Sequence, residues 1–237
     1  MNKDTDLKDE FITVLTHELL TPLVITKGYL SIVLENKETG FDKKTADYLN
    51  KAYEGNERLI KIVSEIVRAA EIDRNNLHLT LRPYNIMEIL SPLLKTYSSF
   101  CGRKGLCLSF SPPKKDSPKI VADLEKTREV IDKLLDNAMK FTDKGEIVIN
   151  FRQEKIGERQ YVTLSIKDSG IGISEKSLGT IFEKFSHANF SLTDQRGGVG
   201  LGLYIAKKLI EVQGGILRVE SRPGKGSCFS LSLPLAQ

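Results

Sequence analysis

The chain has 237 residues, 40% of them hydrophobic, which suits two compact domains better than one. Its 35 basic and 31 acidic residues leave a net charge of +4, too even a balance to mark a nucleic-acid or anionic-membrane binder. No apolar run approaches the ~20 residues that span a bilayer, the polar start lacks a leader's hydrophobic region, and the three cysteines lack paired spacing, so a reducing, cytoplasmic location is expected with no membrane segment in this chain.

Residues 7–34 hold a single glycine, Gly28, and apolar side chains recur at helical spacing through Phe11, Val14, Leu15, Leu23, Ile25, Leu30 and Val33. Pro22 interrupts this run, and a proline inside a helix removes one hydrogen bond and bends the axis, so a kink is expected there. Residues 36–42 read as a turn. A second helix follows in which Leu49, Ala52, Asn56, Leu59, Val63, Ile66 and Ala70 alternate steps of three and four, as in a coiled-coil seam. Asn56 is the only polar member. A two-helix hairpin leaves apolar stripes in water, so two copies are expected to associate as a dimeric four-helix bundle.

The periodicity stops around residues 73–76, which places the domain boundary there: 1–74 as a helical hairpin and 77–237 as a second domain. Strand-like runs follow at 77–81, 107–110, 119–122, 146–151, 161–167, 216–220 and 228–233, with helix-like runs at 86–100, 124–141 and 202–212. Short connections between several strands predict an α/β sandwich whose mixed sheet is largely antiparallel. Residues 186–200 are too polar to pack and read as a mobile lid.

Three patterns in this second domain could carry chemistry. In KLLDNAMKFT, Asn137 and Lys140 lie three apart on one helix face, an amide oxygen suited to Mg²⁺ beside an ammonium suited to phosphate. In DSGIG, at the end of an apolar strand, Asp168 can accept the hydrogen bond of an adenine amino group while glycines let the backbone approach a flat base. In RGGVGLGL, glycines expose backbone N–H groups at the start of a helix, as a phosphate cradle does. Each pattern alone is common; their order together is specific.

The Asn137 helix, DSGIG, the phenylalanine pair of IFEKF at 181–185 and GGVGLGL resemble the N box, first glycine box, F box and second glycine box of sensor histidine kinases. HELLTP at 17–22 is similar to that family's H box, so the likeness runs from about residue 11 to the C-terminus. The resemblance implies ATP and Mg²⁺ as cofactors, with Asn137 on the metal, Lys140 at phosphate, Asp168 on adenine and Gly198, Gly200 and Gly202 bordering the phosphates. Phe141, Gly170, Gly172 and Ser227 complete the nucleotide set it implies. It also implies His17 as the phosphorylated residue, Glu18 as the acceptor of the proton from its other ring nitrogen, and Thr21 as the residue orienting water when the phosphorylated partner is hydrolysed. The implied partners are a second copy of the chain and the receiver domain of a response regulator, and the location fits the cytoplasmic portion of a membrane-bound sensor.

Four positions depart from the pattern: Leu20 for the usual Arg, Lys133 for an Asn four before Asn137, His187 for an Arg and Val199 for a Thr. The ATPases related to Hsp90 and MutL place a carboxylate four before the metal-binding Asn to activate water. Lys133 stands there instead, which argues against simple hydrolysis. The alternative to the kinase is a non-catalytic or phosphatase-only signalling dimer whose ATP domain is degenerate.

Overall fold

The computed structural model describes residues 3–35, 40–74, 77–112, 119–186 and 199–236, with side chains described from residue 19 onward. It divides into two compact units, Met1–Asn76 and Leu77–Gln237.

The first unit is a hairpin of α1 (Lys3–Glu35) and α2 (Lys43–Asp73). Helix α1 continues through Pro22. Helix α2 starts at Asp42, whose carboxylate accepts the Thr45 N–H at 2.6 Å and satisfies one of the free donors of the first turn. Its seam divides in two at heptad spacing. Leu49, Asn56, Val63 and Ala70 are partly or fully covered, while Ala52, Leu59 and Ile66 are exposed. On α1, Leu19, Val24, Ile25, Tyr29 and Ile32 are exposed as well. Among the described residues, no helix is long and apolar enough to cross a membrane.

The second unit is a two-layer α/β domain. Its elements run β1 (Arg82–Asn85), α3 (Met87–Lys104), β2 (Leu106–Phe110), β3 (Lys119–Ala122), α4 (Leu124–Phe141), β4 (Gly145–Ile156), β5 (Arg159–Asp168), α5 (Glu175–Leu178), α6 (Gly202–Glu211), β6 (Ile216–Arg222) and β7 (Gly226–Pro234). The main sheet has the order β2-β4-β5-β7-β6, parallel only between β2 and β4, which is the mixed, largely antiparallel sheet expected. A second, two-stranded sheet pairs β1 with β3.

Residues 77–81 form no strand; strand β1 begins one residue later. The alternation of Leu77, Leu79 and Leu81 suggests a strand, but here the Thr80 N–H donates to Asp123 Oδ2 at 2.8 Å instead of to a neighbouring strand. Asp123 also caps α4 through Lys126 N at 3.0 Å, and its own N–H donates to Gln213 Oε1 at 2.7 Å beyond the end of α6.

Alternation places one sheet face against the helices. Ile149, Ile166 and Phe229 stand across from one another on adjacent strands, as do Leu164 and Leu231, then Val162 and Leu233, and all are buried. Against them lie Leu90 of α3, Val130, Ile131, Leu134 and Leu135 of α4, and Ile205, Ala206 and Leu209 of α6, all at or below 1% exposure. Burial on this scale is the main source of the domain's stability. On the other face hydroxyls pair across the strands, Thr163 with Ser232 at 2.7 Å and Ser165 with Ser230 at 3.1 Å. With that face polar and α4 and α6 packed on the opposite one, the strand ends and helix ends carrying the three glycine and asparagine patterns fall in the same unit.

Candidate functional site

Strand β5 ends on Asp168. The alternation that buries Val162, Leu164 and Ile166 also turns this carboxylate inward, leaving it 5% exposed. Its Oδ1 accepts the Gly170 N–H at 2.8 Å and the Ser227 N–H at 3.2 Å. Oδ2 accepts no hydrogen bond from any described residue. Burial raises the carboxyl above its ordinary range, against the pull of the backbone N–H groups of Gly170 and Ser227. A buried acid with one oxygen satisfied and one open is suited to receive a ligand's N–H.

Three segments meet around it through glycine. A Cβ on Gly170 would strike the Phe141 carbonyl at the end of α4, one on Gly172 the Arg222 carbonyl, and one on Gly226 the Asp168 carbonyl. Gly172 and Gly226 also have φ of 70° and 82°, a region L side chains rarely adopt. The sequence suggested that Gly170 and Gly172 let the backbone approach a flat base. In the structure these two and Gly226 also seat backbone on backbone, so that the DSGIG turn, the end of α4 and the β6–β7 turn form one rim. Further bonds close it: Ile171 N to Phe141 O at 3.2 Å, Gly224 N to Ile171 O at 2.7 Å and Ile173 N to Ser221 Oγ at 2.8 Å.

Ser221 and Lys104 were not legible as parts of this arrangement. Ser221 Oγ donates to the Gly226 carbonyl at 2.8 Å and lies 2.9 Å from Ser227 Oγ, placing the two hydroxyls together across the hairpin. The signal available was the pair of serines flanking a Pro-Gly turn. Lys104, at the end of α3, donates to the carbonyls of Met139 at 2.7 Å and Thr142 at 2.8 Å. A cation on the last carbonyls of α4 satisfies them and complements the helix dipole. Nothing in the local sequence links position 104 to that helix end.

Asn137, Lys140 and Phe141 lie in the last turns of α4, all partly exposed. The Asn137 side chain bonds to no described residue. Lys140 Nζ sits 5.1 Å over the Phe141 ring. Helix α6 starts at Gly202, and its cap position, Leu201, offers no side-chain acceptor to the first-turn N–H groups. Gly200 has φ of 77°, and a Cβ there would come within 2.7 Å of the Ser186 carbonyl, so residues 186 and 200 lie against each other. The F-box segment rests on α6, with Lys207 Nζ 5.1 Å over the Phe182 ring and Lys184 Nζ 5.1 Å over the Tyr204 ring. Gly198, His187 and most of the expected lid lie outside the described residues, as do the side chains of His17 and Glu18 in α1. Thr21 is exposed on α1 and Lys133 partly exposed on α4.

The residues present fit a nucleotide: an open buried carboxylate, a half-buried amide without a described partner, a lysine one turn away and an uncapped helix start. Among the described residues no three His, Cys, Asp or Glu side chains cluster as a metal site.

Residues 122–237 match the family described as histidine kinase-, DNA gyrase B-, and HSP90-like ATPase, and residues 7–75 match the His Kinase A (phospho-acceptor) domain. The chain is 34% identical over 231 residues to sensor protein GacS of Pseudomonas syringae pv. syringae, covering 97% of this chain and 25% of that one. It is 31% identical over 228 residues to the autoinducer 2 sensor kinase/phosphatase LuxQ of Vibrio vulnificus, covering 95% of this chain and 26% of LuxQ. The chain thus spans about a quarter of the length of these curated relatives. Among solved structures, full-length ShkA in complex with AMPPNP superposes with a TM-score of 0.75 at 27% identity, over 96% of this chain and 46% of ShkA. The Acinetobacter baumannii histidine kinase AdeS shares the fold at a TM-score of 0.62 and 20% identity, over 93% of this chain and 98% of AdeS.

Proposed function

This chain belongs to the sensor histidine kinases, and from that premise we propose that it phosphorylates its own His17 with ATP and passes the phosphoryl group to an aspartate on a response-regulator receiver domain. The observation that carries the nucleotide half is Asp168, buried and held by two backbone N–H groups on one oxygen while the other stays open. That open oxygen accepts the adenine amino group, and the Ser227 and Ser221 hydroxyls beside it add polar contacts. The phosphates would be held by Lys140 and the N–H groups at the start of α6, beside Gly200 and Gly202, with Gly198 of the same glycine run implied by its sequence alone. Asn137 would hold Mg²⁺ together with phosphate oxygens, and the ion supplies neutralisation of the charge on the transferring group.

On the acceptor side, a neutral imidazole nitrogen of His17 attacks the γ-phosphorus in line, the bond from that phosphorus to the β–γ bridging oxygen breaks and ADP leaves, while Glu18 accepts the proton of the other ring nitrogen. Thr21, one turn on, orients water when the phosphorylated receiver is hydrolysed. LuxQ, named as a kinase and phosphatase, supports giving this chain both activities.

The chain acts as a homodimer. The exposed half of the α2 seam, Ala52, Leu59 and Ile66, together with exposed Ile25 and Ile32 of α1, supplies two apolar stripes at heptad spacing that a second copy would bury. Its place is the cytoplasm, within a longer sensor.

The transfer half is tested by mixing the phosphorylated chain with the receiver domain of a response regulator from the same source and following label on both. Label leaving the chain and entering the receiver, but not its Asp→Ala variant, is the expected result. Label that stays on the chain with every receiver of that source overturns it.

A further inference from the structure

Asn56 breaks an otherwise apolar seam, and its amide has a specific use. The residue is 9% exposed, and Nδ2 donates to the Leu23 carbonyl of α1 at 2.8 Å. Leu23 follows Pro22 directly. Pro22 has no N–H, so the helix loses the bond to the Glu18 carbonyl at this point and is at its most deformable there. Two side-chain bonds gather on the same turn: Thr26 Oγ1 donates to the Pro22 carbonyl at 2.8 Å, and Asn56 takes the next carbonyl. One turn along α1, Lys27 meets Glu57, the neighbour of Asn56, at 2.8 Å. That ion pair has side chains 38% and 42% exposed and is screened by water, so it holds position weakly. Apolar seam residues tolerate a slide of one helix along the other, whereas a directional bond from an amide to one carbonyl does not.

We infer that Asn56 is a positioning residue for the reaction at His17. By tying α2 to the Leu23 carbonyl it fixes the axial setting of the weakened turn of α1, six residues after the acceptor on the same helix. This rests on His17 being the phosphoacceptor. The Leu23 carbonyl keeps its helical position either way, so Asn56→Leu restores a continuous apolar seam and leaves the fold intact.

The test compares the full chain with Asn56→Leu and Asn56→Asp, the second keeping the shape of the amide without its N–H donors. Three quantities are read: thermal unfolding, KM and kcat for labelling with γ-labelled ATP and Mg²⁺, and amide hydrogen exchange along α1. Asn56→Leu is expected to unfold at or above the wild-type temperature, with KM for ATP within twofold and kcat at least fivefold lower. Exchange should quicken at least fivefold over residues 22–28 relative to residues 30–35. Asn56→Asp should show the same kinetic split at a lower unfolding temperature. Wild-type kcat in both variants overturns the inference, whatever the exchange does, and so does a loss that appears only as lower unfolding temperature. If the wild-type chain itself takes no label, the reading of His17 fails, and exchange alone decides the clamp: faster over residues 22–28 upholds it, unchanged overturns it.

Discussion

The Ser227 N–H donates to Asp168 Oδ1 at 3.2 Å, tying the start of β7 to the end of β5 across 59 positions of sequence. This bond and the one from the Gly170 N–H both fall on Oδ1, which is why Asp168 is the residue through which the proposed nucleotide site is tested first.

Asp168→Asn keeps an oxygen for Gly170 and Ser227 but removes the charge proposed to receive the adenine amino group. A hydrogen bond to a charged group is worth about 1.5–3 kcal/mol, so ATP affinity should fall about 10- to 100-fold, measured by titration with a fluorescent ATP analogue. Stability should move the other way. The folded-state pKa of Asp168 is raised, so its stabilising contribution is full below the ordinary carboxylate range and is lost as pH rises through the folded value. Above that folded value the buried ionised form opposes folding, and there Asp168→Asn should unfold at or above the wild-type temperature.

Two glycines of the same hairpin separate strain from crowding. Gly224 and Gly226 both have positive φ, 71° and 82°. A Cβ on Gly224 meets nothing within 4 Å, so Gly224→Ala should cost only the backbone term, about 1 kcal/mol. A Cβ on Gly226 drives into the Asp168 carbonyl, and Gly226→Ala should cost at least ~3 kcal/mol and abolish nucleotide binding. Urea denaturation of the pair checks both.

Lys104 holds the end of α4 by the carbonyls of Met139 and Thr142, adjacent to Phe141, whose own carbonyl takes the Ile171 N–H. Lys104→Met should destabilise by about 1–2 kcal/mol and raise KM for ATP several-fold, because the segment bearing Asn137 and Lys140 loses its anchor. Lys104→Arg should recover most of the affinity.

Much of this was legible because the second domain's periodicities are strong: α4 and α6 show a clean apolar face, and the buried runs of β5 and β7 match their sequence alternation. The misreading at 77–81 has a local cause. Three alternating leucines imitate a strand, while the true strand, Arg82–Asn85, hides behind Pro83, which only an edge strand tolerates. Asp168 and its glycines stood out from the motif, but their working partners did not. Ser221 and Lys104 act through contacts set by the β6–β7 register and by the approach of α3 to α4, distances that no single window of sequence contains.

Thr21 sits one turn beyond His17 on α1 and is exposed. Thr21→Ala should reduce dephosphorylation of the phosphorylated receiver at least tenfold and leave labelling of the chain within twofold. Equal loss of both would remove Thr21 from the phosphatase step.

The most direct test of the account is where the phosphate goes. The purified chain and its His17→Ala variant are incubated with γ-labelled ATP and Mg²⁺, and the label is challenged with acid and with base. A base-stable, acid-labile label present in the wild type and absent from His17→Ala is the predicted result. An unlabelled wild type that still binds ATP, or a label that survives in His17→Ala, would contradict it.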